Sequence, residues 1–316
     1  MKLDPKIYIA GHKGMVGSAI HRKLLKNGFS NIITKTSKEL DLRNQKDTQD
    51  FIKVEKPDYV VIAAAKVGGI SANGNFPADF IYQNLMIEAN LIHGSYLAGV
   101  KRLLFLGSSC IYPKESSQPI KEEFLLSNQL ESTNEPYAVA KIAGIKLCES
   151  YNRQYGTDFR SIMPTNLYGP YDNFDSKNSH VIPALIQRFH DAKVNKKSVV
   201  EVWGTGKPKR EFLHVDDLAE ASTLILLLDK NILDRHIDPM ISHINIGTGK
   251  DISIKEISKI IKKIVGYSGE IVFNSSFPDG TNRKLLDISR IQKLGWKPRI
   301  SLLVGLKETY DWYKNN

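Results

Sequence analysis

A glycine-rich loop between an apolar run and an amphipathic segment is the feature that most constrains this chain. Residues 11–17 follow the pattern Gly-x-x-Gly-x-x-Gly, directly after the strand-like run Ile7–Ala10. Apolar residues at helical spacing come next and stop at Asn27 and Gly28. Glycines in such a loop let backbone N–H groups approach a pyrophosphate at the positive end of a helix. The pattern therefore predicts a dinucleotide-binding loop.

Strand-like and helix-like segments alternate through the first half of the chain. The predicted strands after the glycine loop lie at 32–33, 59–63 and 103–106, and the predicted helices at 45–54, 78–97 and 137–155. The run 59–63 is continuous and mostly apolar, which is typical of a parallel strand buried on both faces. This alternation predicts βαβ units and an α/β fold with a Rossmann-type, doubly wound parallel sheet.

The pattern loosens after about residue 164, where proline and glycine become frequent. Short strands are predicted at 199–203, 243–246 and 271–273, and helices at 215–228 and 253–265. We expect a smaller α+β lobe that binds substrate. The predicted division is a dinucleotide-binding domain at 1–165 and a mainly substrate-binding lobe at 166–316. The sequence has no internal repeat or flexible linker, so we expect the lobes to pack closely.

Composition excludes several classes of protein. With 41% hydrophobic and 25% charged residues, the chain is neither disordered nor fibrous. Its two cysteines, Cys110 and Cys148, exclude a disulfide scaffold and a cysteine-based zinc ribbon, and no metal site is expected. No apolar run approaches the roughly 20 residues that span a bilayer, and the first residues do not resemble a signal peptide. We expect a cytoplasmic protein without a membrane partner.

A net charge of +10 raises the question of nucleic-acid binding. The lysines are spread along helix-like segments and form no long block, which favours a solvated surface. Part of the excess suits an anionic ligand such as a nucleotide diphosphate. The alternative, a nucleic-acid binder, predicts strongly salt-dependent binding to a duplex.

The end of the second predicted strand indicates the cofactor. NAD enzymes usually carry Asp or Glu there, which accepts from the ribose hydroxyls. Here the segment 34–38 is Thr-Lys-Thr-Ser-Lys, with no acid until Glu39, and Lys13 lies in the glycine loop. Cations and hydroxyls suit a 2′-phosphate, so the sequence favours NADP(H). The alternative is that Lys35 and Lys38 face water.

Three residues suggest carbonyl reduction. Tyr137 and Lys141 form Tyr-x-x-x-Lys, and at this spacing both side chains lie on one helix face. A cation close to a phenol lowers its pKa from about 10, and such a tyrosine can protonate a carbonyl oxygen that receives hydride. Ser108 follows the fourth strand, at the edge where α/β sheets place their sites, and can hydrogen-bond the carbonyl. With the glycine loop, these residues resemble the extended short-chain dehydrogenase/reductase superfamily.

Cys110 and His180 exceed what a plain reductase needs. A thiol and an imidazole that reach one ketone-bearing sugar could remove and return protons at the carbons beside the carbonyl, which is epimerisation. From the residues alone, the favoured interpretations are a small buried hydrophobe for Cys110 and a capping or core histidine for His180. Cys148 is assigned to the core.

Longer matches make the resemblance more specific, above all Gly-Ser-Ser-Cys-Ile-Tyr-Pro and Asn-Ser-His-Val-Ile-Pro. The matching segments are 10–18, 63–69, 104–113, 135–155, 163–170, 178–184 and 278–287. They resemble the GDP-L-fucose synthase family, which carries out 3,5-epimerisation and 4-reduction of GDP-4-keto-6-deoxy-D-mannose. The resemblance implies NADPH, a GDP-sugar substrate and a homodimer that pairs the helices 78–97 and 137–155. Apolar stripes support that pairing: Leu85, Leu91 and Ile92, and Ile142 and Ile145.

The resemblance also assigns residues by matching motif. The catalytic set is Ser108, Cys110, Tyr137, Lys141 and His180. The cofactor-binding set is Gly11, His12, Lys13, Gly14, Met15, Val16, Gly17, Leu106, Gly107, Ser108, Ser109, Lys141, Pro164, Thr165, Asn166, Leu167 and His180. The substrate-binding set is Arg188, Trp203, Arg210 and Asp279. One position departs from the family, because Ser37 stands where a basic residue can follow the second strand.

Three questions stay open at this point. The motifs fix a GDP-4-keto sugar better than its C6 substituent, so the alternative substrate is a GDP-4-keto-6-deoxyheptose or another GDP-4-keto sugar. A noncatalytic nucleotide sensor on the same fold is an alternative of another class. The resemblance suggests Cys110 as base and His180 as acid, an order that the residues alone do not decide.

Overall fold

The structure is a computed structural model that describes residues 4–174, 179–277 and 279–316. Asn178, the first residue of the Asn-Ser-His-Val-Ile-Pro motif, and Pro278, the first residue of the segment 278–287, lie outside the described residues. The strands are β1 (Ile7–Ala10), β2 (Ile32–Lys35), β3 (Tyr59–Ile62), β4 (Arg102–Leu106), β5 (Phe159–Pro164), β6 (Asn166–Tyr168), β7 (Val199–Trp203), β8 (Lys209–His214), β9 (Ile244–Ile246), β10 (Asp251–Ser253), β11 (Glu270–Asn274) and β12 (Arg283–Lys284). The α-helices are α1 (Met15–Lys26), α2 (Gln45–Glu55), α3 (Ile70–Asn75), α4 (Pro77–Leu97), α5 (Glu135–Tyr155), α6 (Val181–Val194), α7 (Val215–Leu227), α8 (Lys230–Asp234), α9 (Ile254–Val265), α10 (Ser289–Lys293) and α11 (Leu302–Asn315). Two 3₁₀ turns span Ser109–Ile111 and Glu122–Phe124.

A parallel sheet forms the centre of the larger domain, with the strand order β2-β1-β3-β4-β5-β9. Ala10 at the end of β1 pairs with Lys35 of β2 on one side and Ile62 of β3 on the other. The chain runs outward from β1 in both directions, so β1 and β3 flank the switch point where such sheets bind ligands. The predicted α/β fold with a doubly wound parallel sheet is confirmed.

Local sequence explains the elements that hold the site. Every residue of β1 and β3 is buried, as their continuous apolar runs predicted. Helix α5 has Pro136 in its first turn, where a missing N–H costs little, and ends at Gly156 in the left-handed region. Around the large sheet, helix α1 packs against α7, and helix α4 packs against α2 and α5.

The smaller lobe is α+β, as predicted. Strand β8 pairs with β10, β12 and β6, and β7 pairs with β11. Helices α6, α9 and α11 pack around a second apolar core that includes Phe189, Ile257 and Leu306. No helix in the described ranges is long and apolar enough to cross a membrane.

Two elements were assigned to the wrong lobe. The segments 215–228 and 243–246 were expected in the substrate lobe, but α7 packs against α1 and β9 is the edge strand of the large sheet. Ile244 and Ile246 belong to the larger apolar core. An apolar run reveals a buried strand but not the sheet it joins, because that depends on pairing with distant residues, here β5.

The apolar stripes proposed for dimerisation were also misplaced. Leu91, Ile92, Ile142 and Ile145 are buried inside the chain itself, and Leu85 is half-buried. Helices α4 and α5 pack on the sheet with these residues, so the covered faces point inward. Their exposed apolar residues are different ones: Tyr82, Leu97, Val139 and Tyr155.

Candidate active site

The glycine loop forms a close-packed turn between β1 and α1. A Cβ at Gly11, whose φ is +86°, would lie 2.6 Å from the backbone nitrogen of Ala64. A Cβ at Gly17 would collide with the carbonyl oxygen of Gly11, and that oxygen accepts a hydrogen bond of 3.0 Å from the N–H of Gly14. The first turn of α1 contains no acid, and among the described residues no side chain caps it. Its free N–H groups fit a pyrophosphate.

Cations surround the end of β2, next to this loop. Glu39 accepts hydrogen bonds from the Thr36 N–H and hydroxyl at 2.8 and 2.7 Å. These bonds, with smaller contributions from Lys35 and Lys13, hold the pKa of Glu39 below its usual value. Lys13 and Lys38 are exposed. Glu39 is therefore bonded to its own turn and lies 4.0 Å from the Lys35 ammonium, while the exposed Lys13 and Lys38 suit a 2′-phosphate.

Ser108 and Cys110 meet directly after β4. Ser108 begins the 3₁₀ turn Ser109–Ile111, and its hydroxyl oxygen lies 3.0 Å from the Cys110 sulfur. The Asn134 side chain donates to the carbonyl oxygen of Cys110 at 3.0 Å. Both predicted catalytic side chains are half-buried at the carboxyl end of the sheet, which makes them accessible to a ligand.

Tyr112 fixes the loop that carries Cys110. Its buried hydroxyl donates to the Asn245 side chain at 2.6 Å and lies 3.1 Å from Nε2 of His243. Burial, together with nearby cations, lowers the pKa of His243 to about 3, so the imidazole is neutral. These contacts connect the loop after β4 to the distant edge strand β9.

Tyr137 and Lys141 lie on one face of α5, as predicted, but the lysine points to another partner. Its Nζ lies 2.9 Å from Oε1 of Glu88 on α4 and 4.5 Å from the centre of the Phe105 ring. Burial raises the pKa of Tyr137 well above its usual value, with contributions from Cys110 and Glu88, while the nearby Ser108 hydroxyl opposes the rise. Lys141 does not contribute the lowering that its spacing predicted, and Glu88, its ion-pair partner, adds to the rise. The phenol is thus held protonated beside Ser108.

His180 lies on the smaller lobe. It precedes α6, and its side chain is open to solvent, although partial desolvation lowers its pKa. Within the described residues, no hydrogen bond joins it to Ser108, Cys110 or Tyr137. The structure therefore brings four of the five predicted catalytic residues into one cluster and, among the described residues, shows no direct bond from His180 to that cluster.

The other predicted cofactor positions follow the carboxyl edge of the sheet. Leu106, Gly107 and Ser109 follow or end β4, and Pro164 ends β5. The side chains of Thr165 and Asn166 bond the carbonyl oxygen of Glu211, and Leu167 continues into β6.

The predicted substrate residues group on the smaller lobe. The Arg188 guanidinium lies 4.3 Å from the centre of the Trp203 ring, which stacks on Phe277 at 4.6 Å. Trp203 is 48% exposed, so its ring is open to a ligand and is not part of the core. The Asp279 carboxylate is already engaged, since it accepts from the N–H and hydroxyl of Thr205 at 2.9 and 2.6 Å.

Arg210 is held from behind. Its Nη1 donates to the carbonyl oxygens of Lys209 and Thr281 at 2.8 and 2.6 Å. Its Nη2 lies beside Gly280, where an added Cβ would come within 3.0 Å of that nitrogen. The guanidinium is thereby oriented with part of its donor set still unused.

Sequence reasoning missed two charged residues at the site. Lys284 lines a narrow cavity with Cys110 and Glu131, and desolvation lowers the pKa of this lysine. The sequence could have revealed Lys284, because it lies in the segment 278–287 that carried the resemblance. Glu88 gave a weaker signal, a single acid within the long apolar segment 78–97.

Comparison with known proteins gives the class. Residues 7–247 match the family model described as the NAD dependent epimerase/dehydratase family, and the chain belongs to this family. It is 57% identical to GDP-L-fucose synthase of Escherichia coli (strain K12) over 311 residues, 98% of this chain and 97% of that protein. It is 56% identical to GDP-L-fucose synthase 1 of Arabidopsis thaliana, over 98% of this chain and 94% of that one.

Two solved structures share the whole architecture. A GDP-mannoheptose C4 reductase from Campylobacter jejuni with NADP bound has 47% identity and a TM-score of 0.89, covering 99% of both chains. A GDP-L-fucose synthetase from Naegleria fowleri bound to NADP has 27% identity and a TM-score of 0.89, covering 100% of this chain and 96% of that one.

Proposed function

We propose that this chain catalyses the NADPH-dependent 3,5-epimerisation and 4-reduction of GDP-4-keto-6-deoxy-D-mannose to GDP-L-fucose. One observation carries the proposal: the Cys110 thiol is hydrogen-bonded to Ser108 beside the buried Tyr137 phenol. A plain reductase needs Ser108, Tyr137 and Lys141 but no thiol at the carbonyl. The identity of 57% to the Escherichia coli GDP-L-fucose synthase supports the same conclusion.

Epimerisation uses the acidity of C3–H and C5–H beside the C4 ketone. Cys110, as thiolate, removes a carbon-bound proton, and the electron pair of the broken C–H bond moves to O4 as an enolate. The Ser108 hydroxyl and the Tyr137 phenol donate to that oxygen and stabilise its charge. His180 delivers a proton to the opposite face of the carbon, which inverts the centre.

Reduction follows at C4. NADPH, when bound, supplies the hydride. Tyr137 transfers its proton to O4, and Ser108 keeps its hydrogen bond to the same oxygen. The raised pKa of Tyr137 ensures that the phenol carries this proton at neutral pH. Lys141, on the same helix face, would hold the nicotinamide ribose.

The glycine cradle and the lysines after β2 fit the dinucleotide. N–H groups of residues 11–17 would hold the pyrophosphate, and Lys13 with Lys35 or Lys38 would hold the 2′-phosphate in place of a basic residue at Ser37. Residues 106–109 and 164–167, with Lys141 and His180, would line the rest.

Four side chains of the smaller lobe fit a GDP group. Arg188 and Arg210 would bind the diphosphate oxygens with charge-assisted hydrogen bonds, and Trp203 offers an aromatic face. Asp279 would act through the Thr205 turn that it holds. The substrate class is thus supported by the side chains as well as by the relatives.

A homodimer through α4 and α5 is part of the proposal. Tyr82 is 61% exposed, Leu97 59% and Tyr155 48%, and Tyr155 stacks on Tyr96 at 4.3 Å. Such aromatic and aliphatic side chains are typical of an interface. Light scattering at micromolar concentration should give a dimer, and a clean monomer would refute this pairing. A cytoplasmic location is consistent with Cys110 and Cys148 as free thiols.

A second candidate is a GDP-4-keto-6-deoxyheptose or another GDP-4-keto sugar. The Campylobacter jejuni GDP-mannoheptose C4 reductase, 47% identical, favours it. A panel of GDP-4-ketosugars, followed by NMR of each product, separates the candidates. We expect the highest kcat/KM with the 6-deoxyhexose. A higher kcat/KM with the heptose would make the heptose the favoured substrate. Lack of NADPH oxidation with every member would support a noncatalytic sensor.

A further inference from the structure

A buried carboxylate faces the catalytic helix from α4. The side chains of Glu88 and Lys141 are only 1% and 3% exposed, and Oε1 of Glu88 lies 2.9 Å from the lysine Nζ. A charge in such a place is costly unless it is paired. The contact between the two side chains therefore offsets the cost of burying each charge.

Helix α5 leaves room for this carboxylate. A Cβ at Gly144, one turn after Lys141, would lie 2.7 Å from Oε2 of Glu88 and would collide with the Phe105 ring. The same ring lies under the lysine ammonium. Gly144 and Phe105 thus shape a compartment for the ion pair between the two helices and β4.

The carboxylate also acts on the groups around it. From α5, Lys141, Tyr137 and Cys148 face Glu88, and from the loop after β4, Cys110 faces Tyr137. Burial raises the pKa of Glu88, and Lys141 opposes that rise. Glu88 in turn raises the pKa of Tyr137. Its negative charge therefore favours the protonated state of the tyrosine.

We propose that Glu88 is a positioning residue, whose carboxylate holds the Lys141 ammonium in place and favours the protonated Tyr137 phenol until Tyr137 gives its proton to the substrate oxygen. The inference rests on the proposed function, in which Tyr137 is the proton donor. It explains why the lysine contacts an acid on a neighbouring helix.

The test is the pH profile of kcat/KM for NADPH oxidation with GDP-4-keto-6-deoxy-D-mannose. Glu88→Gln keeps the size and removes the charge, so the Tyr137 phenol should release its proton at lower pH. We expect the alkaline limb to move down by about one pH unit or more. Glu88→Asp keeps the charge, so its alkaline limb should lie close to that of the wild type. Ile92→Val, a buried change on the same helix, should leave the limb in place.

A uniform loss of kcat in Glu88→Gln, with the limb unmoved, would reduce Glu88 to a packing residue and overturn the inference. A second measurement needs no turnover. Glu88→Gln and Lys141→Gln each leave one buried charge unpaired, so each should melt lower than the double variant. Additive losses of melting temperature would also overturn the inference. Coupled losses in an enzyme that does not turn over the sugar would retain the pair and refute the proposed function instead.

Discussion

The Ser108 hydroxyl oxygen lies 3.0 Å from the Cys110 sulfur, so a single contact links the residue that would bind the substrate carbonyl to the residue that would remove the proton beside it. An enolate forms only if both act on the same ketone. The contact places the base and the oxyanion donor within reach of one sugar. It is the geometric reason for coupling epimerisation to reduction in one site.

Cys110→Ser should separate the two reactions. Serine keeps a hydroxyl that can still meet Ser108, but a thiol of pKa about 8.5 ionises far more readily than an alcohol. Deuterium uptake at C3 and C5 should fall by roughly 10²- to 10⁴-fold, while the ketone is still reduced. An NMR time course in heavy water measures both. Cys148→Ala is the matched control, because that thiol is buried and burial raises its pKa to about 12. Wild-type exchange in Cys110→Ser would return Cys110 to a packing role.

Tyr137→Phe should have the opposite effect. Without the phenol no proton reaches O4 during hydride transfer, and NADPH oxidation should drop by roughly 10²- to 10⁴-fold. Exchange at C3 or C5 should remain measurable, since Ser108 still donates to the enolate. Absorbance at the reduced-nicotinamide band follows the first reaction and NMR the second. Tyr151→Phe controls for a lost hydroxyl on the same helix, where that group only meets His93 at 2.6 Å. Equal loss of both reactions would contradict separate roles.

Lys13→Glu should weaken the binding of NADPH and spare that of NADH. The lysine is exposed in the glycine loop and acts on Glu39, next to the site expected for the 2′-phosphate. Replacing attraction by repulsion should raise the Kd of NADPH about tenfold or more, which corresponds to about 1.4 kcal/mol. Fluorescence titration with both cofactors checks it, with Lys26→Glu, in the last turn of α1, as the control. If the binding of both cofactors weakens equally, Lys13 contacts a group that NADPH and NADH share, and not the 2′-phosphate.

Acid should destabilise the fold through His243. Its pKa is about 3 in the folded chain and 6.5 in the unfolded one, so below 6.5 the unfolded state binds a proton that the folded state does not. Unfolding should therefore become easier by about 2 kcal/mol for this group alone between about pH 7 and pH 5. His243→Gln should be less stable at neutral pH but lose less on acidification, as urea titrations at both pH values can show. His236→Gln is the control, and an unchanged pH dependence in His243→Gln would contradict the assignment.

The sequence predicted those parts of the site that depend on neighbouring residues. The glycine loop, the turn of Ser108 and Cys110, and the i, i+4 pair of Tyr137 and Lys141 are local, so spacing and periodicity determine them. Glu88, Lys284 and the strand β9 are brought in by packing between elements far apart in the chain. No pattern around Lys141 shows that its partner comes from another helix. For the same reason, the sequence predicted a lowered pKa for the Tyr137 phenol, whereas burial raises it.

The most direct test is a single reaction in heavy water with GDP-4-keto-6-deoxy-D-mannose and NADPH, followed by proton NMR and by absorbance of the cofactor. We expect NADPH to be oxidised at the same rate as GDP-L-fucose forms, and the product to carry deuterium at C3 and C5. A product that retains the original configuration and protium at both carbons, or a ketosugar that remains while NADPH is not oxidised, would contradict it.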